Sequence, residues 1–564
     1  MKNILLFLFI ICGVQTSSAI EEISIQKKWY HIDNDLRLIV INKDIAELSL
    51  MLDERIETIV LDRVYRFVNP IETIVKGQMY QIFNNPEDSL YNIIFSELPV
   101  VDLKIEEPIT DEPRIPCKFN MTEPGGAVID ANIGIELRGG YSQSFPKKSY
   151  RIEFWKDSIG LENEDVSLLG MRKDDDWNLL ALYNEPLRIR NKTNHELWRL
   201  IHTCHYSDIE TKAKNGIEME YVDLFLNGSY KGIYCLSERV DKKQLKLKDF
   251  DGQFRGELYK GISWGASTFD KLPDYDNNSS VWSGFEIQYP DGVIDWSFIY
   301  SFVEFVIKSD SYTFYSDIQR KLHVDNAIDY FIFLNLLRAR DNTGKNVYVA
   351  KYDSDEPYFF VPWDLDGTFG IAWDGLNDSV TTGILSNGVY NRLWNNQPEN
   401  VFPEKIRKRW ASLRSTILKS NDLQDLFKNN YLYLKSNGAF DREEMAWTDF
   451  SDNPEHLLYM EDWTNKRIAY LDSLFNYSVV GSYKTQSIKR TFTVYPNPAS
   501  DVLFVNSGDG EIDKVVVYNS TGQILMENNF AEHKIHLNNL TNGVYYLKIS
   551  SSSMVEVHRF VVKK

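Results

Sequence analysis

An apolar run from Tyr330 to Leu337 stops at Arg338-Ala339-Arg340-Asp341, and five residues beyond that aspartate comes Asn346, followed by the strand-like Val347-Tyr348-Val349. A carboxylate and a carboxamide thus share a short loop between two hydrophobic elements. A second apolar strand, 358–363, is predicted to return beneath the loop and to end at Trp363-Asp364-Leu365-Asp366-Gly367. Helix, loop and hairpin must then form one local unit, with oxygen-bearing side chains gathered at one end of it. Each half alone has a plainer explanation. Asp-x4-Asn also describes a capped turn, and Trp-Asp-x-Asp-Gly also describes a calcium loop or an ordinary turn. The joint pattern is what constrains the chain.

At 564 residues the protein is too long for one ordinary core, so two to four domains are expected. Hydrophobic residues at 43% and aromatics at 13% describe a globular chain rather than a disordered one. A net charge of −19 argues against nucleic acid as a partner, since phosphate binders need clustered excess Lys and Arg. The N-terminus has Lys2, an apolar stretch from Ile4 to Val14, and small residues ending at Ser17-Ser18-Ala19, the pattern of a secretory signal peptide. A lipoprotein reading would use Cys12, but Ile11 before it is not small. No later stretch is long and apolar enough to span a bilayer. Cleavage would leave Cys117, Cys204 and Cys235, enough for one disulfide at most. His202-Thr203-Cys204-His205 has no second ligand pair at zinc spacing and reads as structural.

The predicted organisation is a signal peptide at 1–19, an accessory β domain at 20–105, an α+β domain at 106–476, a polar linker at 477–490 and a small β-sandwich at 491–564. Strands cluster early in the α+β domain, with Asn227-Gly228 as a strong hairpin signal. Helical patterns follow at 185–202, 294–308, 323–337, 403–430 and 454–476.

A phosphoryl-transfer site needs a carboxylate beside the attacking hydroxyl. It also needs a carboxamide and a second carboxylate for Mg2+, and a Lys to offset phosphate charge. Arg340-Asp341 followed by Asn346 has the spacing of a protein-kinase catalytic loop, and Asp364 before a glycine turn has the place of the kinase metal aspartate. For the cation, the turn Gly139-Gly140-Tyr141-Ser142 followed by Lys147-Lys148 is the candidate, because small-residue amides can approach phosphates and a Lys on the next strand can reach them. The same residues also describe a hairpin with exposed lysines. There is no Gly-x-Gly-x-x-Gly.

Arg138-Gly139, Pro146-Lys147-Lys148-Ser149-Tyr150, Arg190-Asn191, the stretch Val222 to Tyr234 with Glu238, Asp341 to Tyr348 and Pro362 to Asp366 together resemble the CotH family of atypical protein kinases, in family order over roughly 98–475. The resemblance implies a divergent, two-lobed kinase-like fold that binds ATP and Mg2+ and phosphorylates Ser in secreted or coat proteins. It implies Asp341 as the catalytic aspartate, and Asn346 and Asp364 as metal ligands. Asp366 is implied as a second metal ligand or turn cap, and Lys148 or Lys147 as the phosphate contact. Arg190 and Glu238 are implied contributors to the nucleotide cleft. The last module, with Tyr495-Pro496-Asn497-Pro498-Ala499, the Gly522 turn and Leu540 to Tyr545, resembles the type IX secretion C-terminal sorting domain (type A). It implies the type IX secretion machinery as a partner and a secreted or cell-surface destination.

Two alternatives stand beside an exported Ser (or Thr) kinase. One is a catalytically inactive kinase-fold protein with a structural or binding role, suggested by the scarcity of ATP outside the cell. The joint presence of Asp341, Asn346 and Asp364 weighs against it. The other is a glycoside hydrolase, but Asp364 and Asp366 sit at one strand end rather than flanking a bond from separate elements.

Overall fold

A computed structural model describes residues 21–49, 55–84, 89–395, 401–477, 492–506, 512–519, 523–529, 534–551 and 555–564. The predicted leader with Cys12, residues 478–490 of the predicted linker, and Gly522 lie outside them. The chain divides into two units, 1–477 and 478–564.

The first unit opens with a seven-stranded sheet built from strands between Glu21 and Phe95. Alternating side chains such as Ile39, Ile41, Ile59, Tyr65, Ile82 and Ile93 fill its core. Seven strands then close into a barrel. In spatial order they are Val128–Arg138, Ser149–Trp155, Asp176–Leu180, Ser229–Ser237, Met219–Leu226, Val100–Lys104 and Ile115–Thr122. The strand Val100–Lys104, assigned from sequence to the accessory domain, pairs with Ile115–Thr122 and runs parallel to Met219–Leu226, so it belongs to the barrel. The barrel core holds Val101, Phe119, Ile133, Ile152, Trp177, Val222 and Leu236, one inward residue in two along each strand. Asn227 (φ 50°) and Gly228 (φ 79°) form the predicted tight turn of the hairpin.

Beyond the barrel, a five-stranded sheet in the order Val281–Trp282, Phe285–Tyr289, Glu257–Gly261, Val347–Lys351 and Tyr358–Pro362 carries the helices. Helix Val324–Leu337 is buried from Asn326 to Leu337 on every side, which explains why its sequence reads as one apolar run. The helical stretch expected at 403–430 is two helices, Val401–Ser415 and Ser420–Ser436. The mixed helix and strand content matches the expected α+β class, although the strand-rich part is a closed barrel. Cys117, Cys204 and Cys235 are all buried free thiols. No helix among the described residues is long and apolar enough to cross a membrane.

The second unit has a three-stranded and a four-stranded antiparallel sheet around one core that includes Leu503, Val515, Ile535, Leu547 and Phe560.

Candidate active site

The loop after helix Val324–Leu337 is fixed from within. Arg338 ends the helix in a left-handed conformation (φ 55°), and Asp341–Thr343 makes one 3-10 turn. The buried Asn342 donates its carboxamide N–H to the carbonyls of Asn346 (2.7 Å) and Trp363 (2.8 Å), tying the loop to the end of the returning strand. Asn346 (φ 52°) and Asp364 (φ 56°) both occupy the left-handed region, which Asn and Asp tolerate better than other side chains. Asn346 Nδ2 approaches Asp364 Oδ2 at 3.4 Å. Asp341, Asn346, Asp364 and Asp366 consequently line one cavity of about 390 Å³. Burial, reinforced by the neighbouring Asp364 carboxylate, pushes Asp366 up to about 7.

The same cavity also carries cations. Arg138, Lys147, Lys260 and Lys345 line it, together with the turn from Gly139 to Ser142. Lys147 is completely buried and donates to Glu443 Oε1 (2.6 Å) and to the Ile233 carbonyl (2.7 Å). Glu443 also takes Arg188 Nε (3.1 Å) and the Ile233 N–H (2.7 Å). Burial outweighs the attraction of Glu443 and holds the Lys147 ammonium down at about 8. Lys345 lies 3.6 Å from Asp341. Tyr141 (62% exposed) and Trp373 (51% exposed) meet edge-on at 4.9 Å and are part of the lining.

The remaining residues singled out from sequence lie elsewhere. Lys148 Nζ donates to the carbonyls of Gln143 (2.7 Å) and Phe145 (2.5 Å), bracing the turn rather than lining the cavity. Arg190 is buried against Glu185 and donates to the Phe369 carbonyl at 3.4 Å. Glu238 accepts from the backbone N–H groups of Arg172 (3.2 Å) and Glu218 (3.0 Å) and from Gln244 Nε2 (3.1 Å). Neither Arg190 nor Glu238 is part of the cavity wall. Lys260, Glu443 and Trp373 were not foreseen. Lys260 gives itself away only as the one cation of the strand Glu257–Gly261, whereas Glu443 lies in a charge-rich helix with no distinguishing local pattern.

The donor set of Asp341, Asn346, Asp364 and Asp366 is all oxygen, which suits Mg2+ and not a thiolate- or imidazole-preferring metal. A separate acidic group, Asp165, Asp174 and Asp175, is already bridged by Lys243.

The description "CotH kinase protein" matches residues 135–471, and "Secretion system C-terminal sorting domain" matches 493–563. The inner spore coat protein H of Bacillus subtilis (strain 168) is 22% identical over 398 residues, covering 63% of this chain and 96% of that protein. A solved structure of PorZ, titled as an essential bacterial surface component of the type-IX secretion system of Porphyromonas gingivalis, overlaps 13% of this chain and 11% of its own at 20% identity and a TM-score of 0.12, too little to bear on the fold. The sorting domain indicates type IX secretion to the cell surface or beyond. With the family match spanning more than half of its length and containing the whole cavity wall, the chain belongs to the CotH kinase protein family.

Proposed function

We propose that the protein is an exported Mg2+-dependent kinase that transfers the γ-phosphoryl group of ATP to a Ser or Thr hydroxyl of a secreted or surface protein. The observation carrying this reading is the convergence of Asp341, Asn346, Asp364 and Asp366 on one cavity that Arg138, Lys147, Lys260 and Lys345 also line. Asp341 orients the acceptor hydroxyl and takes its proton as the new O–P bond forms and the bond to the leaving ADP breaks. Asn346 and Asp364 hold the metal, with Asp366 beside them. Bound Mg2+ supplies electrostatic stabilisation of the phosphoryl oxygens. The Lys147–Glu443 pair ties the segment before strand Ser149–Trp155 to helix Ala439–Ala446, and Tyr141 and Trp373 offer apolar surface to a base. The barrel and the helix-bearing sheet correspond, in this reading, to the two lobes of a kinase.

Labelled ATP with a Ser-rich acceptor, with and without Mg2+, tests the reading. Incorporation should require Mg2+ and should fall by about a hundredfold or more in Asp341→Ala, with the far-UV circular dichroism unchanged. Labelling by that variant at the wild-type rate rejects the assignment.

A further inference from the structure

The four cations of the cavity wall are not equivalent. Lys147 donates to Glu443 and a carbonyl, and Lys345 leans on Asp341. No carboxylate or carbonyl among the described residues lies within hydrogen-bond or ion-pair distance of the Lys260 ammonium or the Arg138 guanidinium. Both side chains are partly exposed, and the Glu286 and Asp364 carboxylates act on Lys260 through space without bonding it; donors left open on a cavity lining are available to an anionic ligand.

Both side chains are also held in register with the carboxylate wall. Lys260 sits in the middle of the five-stranded sheet, opposite Tyr348 on one side and Glu286 on the other. The next residue, Gly261, accepts the N–H of Asn346 at 2.8 Å, so the strand carrying Lys260 is tied directly to the loop carrying Asn346. Arg138 ends the barrel strand Val128–Arg138, and its guanidinium lies over the Trp363 ring at 5.2 Å, one residue before Asp364. One cation therefore comes from the barrel and one from the helix-bearing sheet. Each is fixed one residue away from a proposed metal ligand.

We propose that Arg138 and Lys260, one from the barrel and one from the five-stranded sheet, form the polyphosphate subsite that grips the terminal phosphoryl groups of a nucleoside triphosphate, in place of Lys148. This rests on the kinase reading of the same cavity. It assigns the phosphate contact to side chains that line the cavity, whereas Lys148 does not line it and is held by two carbonyls of the turn that precedes it.

The test is calorimetric titration of the full chain, in Mg2+, with inorganic tripolyphosphate, ATP and adenosine. Lys260→Met and Arg138→Met should each weaken tripolyphosphate and ATP by about tenfold or more, the scale of a lost charge-assisted hydrogen bond, and leave adenosine unchanged. Lys260→Arg should restore most of the loss. Thermal unfolding provides the structural control. Lys260 has no bonded partner to lose, so the Lys260→Met midpoint should equal or exceed that of the wild type, whereas a merely structural lysine would lower it. Wild-type affinity for tripolyphosphate in both Met variants overturns the proposal alone. A wild-type protein that binds neither ATP nor tripolyphosphate overturns the kinase reading with it.

Discussion

The most diagnostic single change lies outside the carboxylate loop, at Gly232. This glycine has φ 94° and sits beside the buried ion cluster. A Cβ built on it would lie 2.1 Å from Glu443 Oε2 and 3.1 Å from Lys147 Nζ. Glu443 has nowhere to retreat, because it is pinned by Lys147 at 2.6 Å, Arg188 at 3.1 Å and the Ile233 N–H at 2.7 Å. Gly228, in the turn of the same hairpin, also has positive φ (79°) but nothing within 4 Å of its virtual Cβ. Replacing either by Ala imposes the left-handed backbone cost of about 1–2 kcal/mol. Only Gly232→Ala also displaces a carboxylate from two buried cations, and breaking a buried pair costs about 3–5 kcal/mol. The Gly232→Ala variant should therefore be less stable than Gly228→Ala by roughly 2 kcal/mol or more after partial relaxation. Urea unfolding followed by tryptophan fluorescence is the suitable assay, because all 13 Trp residues precede residue 478 and report on the first unit alone. In the Gly232→Ala background, Glu443→Ala should add little, since the pair is already broken. Equal midpoints for Gly228→Ala and Gly232→Ala would refute the reasoning.

Two pH dependences follow from buried titratable groups. Burial and Asp364 keep Asp366 protonated below about 7, so affinity for Mn2+, followed by electron paramagnetic resonance, should rise as pH increases through 7. Asp366→Asn should flatten that rise, and a wild-type affinity constant between pH 6 and 8 would count against Asp366 as a ligand. His195 is buried with no hydrogen-bond partner among the described residues on either ring nitrogen, and burial lowers it to about 3. Above the unfolded-state value of 6.5 it has no effect on the pH dependence, and below it the unfolded chain takes up a proton that the folded chain refuses. The midpoint advantage of His195→Leu over wild type should consequently grow as pH falls from about 7 to 5. A constant difference would show that the ring is protonated in the folded state.

The carboxylate side of the cavity was legible because it is local. Asp341, Asn346, Asp364 and Asp366 all lie within one helix–loop–hairpin unit, so spacing alone brings them together. The cation side is tertiary, and there sequence proximity misleads. Lys147 and Lys148 are neighbours just before the strand Ser149–Trp155, yet the first is part of the cavity wall and bonds Glu443, whereas the second folds back onto its own turn. Spacing identifies such a pair without saying which member faces inward. The partner of Lys147 lies 296 residues away, in helix Ala439–Ala446. That helix carries two consecutive, fully buried charges: Glu443 turns to Lys147, while Arg442 donates to Asp223 Oδ2 at 2.6 Å and to Ser96 Oγ at 3.4 Å. Ser96 directly follows the last strand of the accessory sheet, and the adjoining Glu97 N–H bonds Asn437 Oδ1 at 2.7 Å. One short helix thus connects the N-terminal sheet, the barrel and the ion pair at the cavity. A charge-rich octapeptide looks like a solvated helix in isolation. Its inward Arg and Glu become intelligible only when strands from three distant segments close around it.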